Sequence, residues 1–182
     1  LRQLQNTLLL RFNRRAVIEA FKRIKPGRWF RLYVDGDFDS ESTAVFWFNL
    51  LRQRPDIRAY GYSKSWRILE SVAHLVPPNY ALNLSSGSIH DGDTEFTDRM
   101  LGLPFVRGIF AAVHLRRRHA KGFGRFDSPD YHRDVRESAQ SDGMGKVFSC
   151  TGKCGSCSSR GPVCGLVEIK LPVAIGIHGM GV

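Results

Sequence analysis

The chain has 182 residues, of which 42% are hydrophobic, 11% aromatic and 24% charged. These are the proportions of one globular domain able to bury a core without disulfide staples. They exclude disorder, collagen and coiled coil as descriptions of the whole, and no run of ~20 apolar residues is available to cross a membrane. The 27 Lys and Arg against 17 Asp and Glu leave a net charge of +10, which points to polyanionic partners: nucleic acid, a nucleotide or an acidic membrane face.

In chain order, residues 1–27 read as a basic helical segment in which the cations from Arg2 onward are offset by Glu19 alone. Leu8, Leu9 and Leu10 form an apolar triplet too short for the core of a signal peptide. A start at Leu1 rather than Met leads us to expect further sequence upstream. Asn13 is placed to cap a helix with Ala16, Val17, Ala20, Phe21 and Ile24 on one face, and Pro26-Gly27 ends it. Alternation at Phe30, Leu32 and Val34 predicts a strand over 29–34. A polar loop leads into a very apolar helix over 43–52, stopped by Pro55. Its run Phe46-Trp47-Phe48 also suits a strand, but caps and length favour a helix packed on both sides.

A strand over 57–62, a helix over 65–75 and a strand over 80–84 follow, with Pro77-Pro78 between the last two. A Ser/Gly loop, a short helix ending at Leu101 and a strand over 105–113, kinked at Gly108, come next. Ser128-Pro129 opens a helix that runs to about Gln140. The chain closes with a strand over 166–177, bent at Pro172.

Strands alternating with helices of this length predict an α/β fold, in one domain over 1–182, around a mostly parallel sheet that is open or curled into a partial barrel. Functional loops of such sheets gather at the carboxyl ends of the strands. Polar residues stand at nearly every exit here. Asp35, Asp37 and Asp39 follow the first strand, and Ser63-Lys64-Ser65 the second. Ser85 to Asp91, with Ser86, Ser88 and His90, follow the third, and His114 the fourth.

Alternating aspartates after a strand suit a divalent ion for phosphoester chemistry, held at Asp35 and Asp37. The plainer and favoured reading is a loop in which Asp39 or Ser40 caps the next helix. Lys64 and His90 are further catalytic candidates on the same edge. Ser86 and Ser88 could hold an anion through hydroxyls and amides. Arg116, Arg117, Arg118, Lys121 and Arg125, interleaved with Phe123 and Phe126, have the character of a nucleic-acid binding stretch, or of a solvated loop tip.

All four cysteines, Cys150, Cys154, Cys157 and Cys164, crowd into one loop over 150–164. Secreted disulfide scaffolds spread their cysteines, so this crowding points to a reducing, cytoplasmic compartment and a metal site. A single dense run is closer to an iron–sulfur ligand set, such as 4Fe-4S, than to the separated pairs of structural zinc; the alternatives are Zn2+ and disulfides or free thiols. The Cys-x3-Cys-x2-Cys spacing is also that of radical S-adenosylmethionine enzymes, which carry it after the first strand.

The segments Val34-Asp35-Gly36-Asp37-Phe38 and Tyr60-Gly61-Tyr62-Ser63-Lys64-Ser65, with the late cysteines, resemble the gene product eighty-eight family of phages and mobile elements. In that family a strand ends in Gly-Asp-Phe, a helix follows, and the next strand ends in Tyr-x-Tyr-Thr-Lys-Ser. The resemblance implies a phage protein of the host cytoplasm. Two departures stand out: Ser63 replaces Thr, and the family's early cysteine cluster either lies upstream of Leu1 or is missing from this branch.

The sequence therefore leads to an iron–sulfur or zinc protein that binds nucleic acid or a nucleotide through basic faces. The alternatives are an enzyme, of the radical or the divalent-metal kind, and a zinc-stabilised interaction module.

Overall fold

The computed structural model describes residues 2–34, 36–115, 128–155 and 157–177. The basic N-terminal segment is two helices, α1 (Arg2–Phe12) and α2 (Arg14–Lys22). They part at Asn13, whose side chain accepts from Ala16 N at 3.2 Å and caps α2. Phe21 of α2 is buried edge-on to Phe30, with ring centroids 5.5 Å apart, and joins the segment to the domain core.

The remaining elements alternate: β1 (Trp29–Leu32), α3 (Glu41–Arg52), β2 (Arg58–Ser63), α4 (Trp66–Ser71), β3 (Tyr80–Ser85), α5 (Thr94–Leu101), β4 (Val106–His114), α6 (Pro129–Ser141), β5 (Phe148–Ser149) and β6 (Val173–Ile177). Among the described residues, six strands form one curled sheet, a half-barrel, in the order β1-β2-β3-β4-β6-β5. Every neighbouring pair is parallel. The α/β class and the mostly parallel sheet are as the sequence led us to expect.

Four boundaries differ from expectation, each for a local reason. β1 stops at Leu32 because Tyr33 adopts φ 53°, a left-handed turn that ends a strand. α3 starts at Glu41 because Ser40 Oγ accepts from Thr43 N at 3.2 Å. The helix expected over 65–75 is broken at Val72, which leaves helical geometry before a short 3-10 turn over Ala73–Leu75. The last strand begins only after Pro172; before it, Ile169 N bonds Leu166 O in a turn, and no strand runs over 166–172. β5, only two residues long, is too short for period-two alternation to betray it.

Helices cover one face of the sheet. The larger core packs Phe48, Leu51, Leu69, Phe96 and Met100 of α3, α4 and α5 against Leu32, Leu82 and Leu84. Tyr131, Val135 and Ala139 of α6 continue it over Val113 and Ala174. The inner face carries Trp29, Tyr60, Tyr62, Ala81, Phe110 and Val173, and its cover is the cysteine loop. That loop leaves the carboxyl end of β5 and returns to the start of β6. It crosses the inner face on the way.

Candidate functional site

The inner face is built by alternation. In β2, Ala59 belongs to the helix-side core while Tyr60 and Tyr62 face the loop. Trp29 and Arg31 of β1 follow the same period. Gly161 and Gly165 of the loop lie against Trp29, where a Cβ on either would run into the indole. Asn83 of β3 is fully buried and donates through Nδ2 to Cys164 O at 2.8 Å and Gly61 O at 3.2 Å. The loop's last cysteine is thereby fixed over the centre of the sheet.

Three of the four sulfurs meet a hydrogen-bond donor. Gly152 N reaches Cys150 Sγ at 3.4 Å, and Val163 N reaches Cys157 Sγ at 3.2 Å. Arg31 Nη1 reaches Cys154 Sγ at 3.8 Å, and Cys164 lies beside the Tyr62 phenol. The sulfurs are close enough to sense one another: Cys150 interacts electrostatically with Cys154 and Cys157, and Cys164 with Cys150 and Cys157. They are not joined as disulfides. Among the described residues, no three His, Cys, Asp or Glu side chains stand in an ion-holding arrangement as they lie.

Burial pushes the Cys164 thiol up to about 11, against the neighbouring Tyr62 phenol and the Arg107 charge. Burial also raises Cys150, and it raises the Tyr60 and Tyr62 phenols, beside which the cysteines lie. Two cations balance this anion-prone patch. The Arg31 guanidinium lies 4.6 Å from the Tyr62 ring centroid. Arg107 is fully buried, donates to Leu171 O, and interacts with Cys164 and Tyr62. Cys154 is exposed, and a cavity of about 540 Å³ beside it is lined by Arg28, Trp29, Arg31 and Tyr60 among others.

The carboxyl ends of β1, β2 and β3 bring other expected residues together. Asp37 Oδ1 accepts from Phe38 N at 2.8 Å and Ser63 Oγ at 2.6 Å, and Oδ2 accepts from Lys64 N at 2.6 Å. Ser88 Oγ donates to Lys64 O at 3.2 Å, and Ser86 Oγ accepts from Ala112 N at 3.2 Å. His90 is buried between Trp66 and Phe96, 5.9 and 4.8 Å away by ring centroid. Asp39 sits apart at the head of α3. Hydrogen bonds from Thr43 and Ser40, and the Arg11 charge 3.6 Å away, hold its carboxyl below the usual range. Asp35, Arg116, Arg117, Arg118, Lys121 and Arg125 lie outside the described residues.

Sequence reasoning missed Arg31, Tyr60, Tyr62, Asn83 and Arg107. For Arg31, Tyr60 and Asn83 the signal was period two: each is a polar or amphipathic residue between apolar neighbours in a strand, on the face opposite the helices.

A family model described as Gene product 88 matches residues 2–160, which takes in every strand but β6 and three of the four cysteines. No curated protein and no solved structure gives a significant match. With the family model spanning most of its length, the chain belongs to the Gene product 88 family.

Proposed function

We propose that the four cysteines hold one thiolate-ligated centre, an iron–sulfur cluster, on the inner face of the half-barrel, and that the basic surface engages nucleic acid or a nucleotide. One observation carries the metal reading: three of the four sulfurs have their own donor, from Gly152, Arg31 and Val163. A neutral thiol is a weak acceptor, whereas a thiolate gains from every such bond. Four thiolates in one half-buried patch need a bound cation to offset their repulsion and desolvation. Cys150, Cys154, Cys157 and Cys164 would hold such a centre.

Iron–sulfur chemistry is favoured over zinc by the ligand run. All four sulfurs come from one loop, and amide-to-sulfur bonds of this kind tune such clusters. A bound cluster would supply electron transfer or a structural clip. The protein's own part is clearer. Asn83 and the Trp29 cradle hold the loop against the sheet, and Arg31 and Arg107 offset negative charge.

The partner reading rests on the net charge of +10 and on the exposed cations of α2 and the turn after it. Metal and sulfide analysis of protein purified without oxygen tests the metal reading. About four iron and four sulfide per chain, with a broad visible band, are expected. One zinc and no colour would replace the cluster with a structural clip, and no bound metal would overturn the reading.

A further inference from the structure

The β3–β4 pairing slips by one residue: Leu82 faces Val106, but Asn83 faces Gly108. Arg107 is the residue left over. Its guanidinium is on the inner side, within electrostatic reach of Cys164 and Tyr62. Arg107 is 0% exposed. Its Nη2 donates to Leu171 O, while Nε and Nη1 are buried with no partner among the described residues. No carboxylate among the described residues pairs with it. A buried guanidinium with two idle nitrogens is costly in a folded protein unless an anion balances it.

We infer that Arg107 is the counter-ion of the thiolate centre, a positioning residue beside the strand bulge that sets the charge of the cysteine site. This rests on the metal reading above and deepens it. A centre ligated by four thiolates carries net negative charge. Arg107 from β4 and Arg31 from β1 flank the loop that would hold it, and both interact with its sulfurs. Thiolates gathered around a metal would give the idle nitrogens a partner. The charge that stabilises the loaded protein is then a burden on the metal-free one.

That opposition makes the role testable. Wild type, Arg107→Met and Arg107→Lys are compared in metal-free and loaded forms, by chelator competition and by thermal unfolding. Loss of an outer partner of a metal site typically weakens retention about 10- to 100-fold, and that is expected for Arg107→Met. Arg107→Lys, which keeps the charge, should retain most of the affinity. The metal-free Arg107→Met protein should melt no lower than metal-free wild type, and its loaded centre should be harder to reduce.

Equal retention by Arg107→Met, or an equal loss of stability in both forms, would overturn the counter-ion role while leaving the metal centre standing. Wild type that takes up neither iron nor zinc would overturn the metal reading itself, and the counter-ion role with it.

Discussion

Asp37 and Ser63, at the exits of β1 and β2, are joined by a 2.6 Å hydrogen bond from Ser63 Oγ to Asp37 Oδ1. With Phe38 N and Lys64 N as further donors, both carboxylate oxygens serve the protein itself. The carboxylate is an acceptor at the centre of three donors, which ties two strand exits together. Asp37→Asn would turn an amide N–H₂ toward one of them, leaving a clash of donors. The expected loss is about 1–3 kcal/mol of stability, measured by urea unfolding. Added Mg2+ should leave the wild-type melting temperature unchanged. A large magnesium-dependent rise would restore the divalent-ion reading of the aspartate loop.

Asn83 is the link between sheet and cysteine loop. Its amide donates to Gly61 O and Cys164 O from a fully buried position. In Asn83→Asp a carboxylate would face two carbonyl oxygens with no water to relieve the repulsion. The expected cost is about 2–4 kcal/mol, visible in denaturant unfolding. Released from the sheet, Cys164 should also react faster with an alkylating reagent in metal-free protein. Unchanged labelling would mean that the loop is held by other contacts.

Trp29 fills the space that Gly161 and Gly165 leave open. Gly165→Ala places a methyl group inside that ring, so the loop or the indole must move. Overpacking of this sort costs about 1–3 kcal/mol. A smaller side chain at position 29 should accommodate the methyl, so Trp29→Leu and Gly165→Ala should be less harmful together than their separate effects add up to. Thermal unfolding of the four proteins in the cycle measures this. Strict additivity would show that the two residues do not share the space.

The elements of the fold were legible because their signals are local: apolar stripes in α3 and α4, alternation in β2, a proline-led start for α6. Asn13 and Ser40 announced their helices as caps. The cysteine run was equally plain. The inner face was not, because its residues meet only through the sheet. Arg31, Tyr62 and Arg107 stand on three strands far apart in sequence. Arg107 stands at the slip in the β3–β4 pairing, and no periodicity reports a slip. The aspartates illustrate the converse: their pattern was legible, but only the geometry shows that Asp37 binds Ser63 and Lys64 while Asp39 belongs to the head of α3.

The polyanion reading makes a prediction that geometry alone can frame. Arg23, Lys25 and Arg28 are exposed between α2 and β1, and among the described residues none is ion-paired. The neighbouring acid, Glu19, is engaged by Lys22 at 3.0 Å. A cation that touches a phosphate releases a counter-ion, and on duplex DNA each contact adds about 0.9 to the slope of log affinity against log salt. Changing all three residues to Gln should therefore reduce that slope by up to about 2.7, with folding unaffected because none is buried. Fluorescence anisotropy across a salt series measures it. An unchanged slope would take this face out of the interface and move the search to the arginines over 116–125.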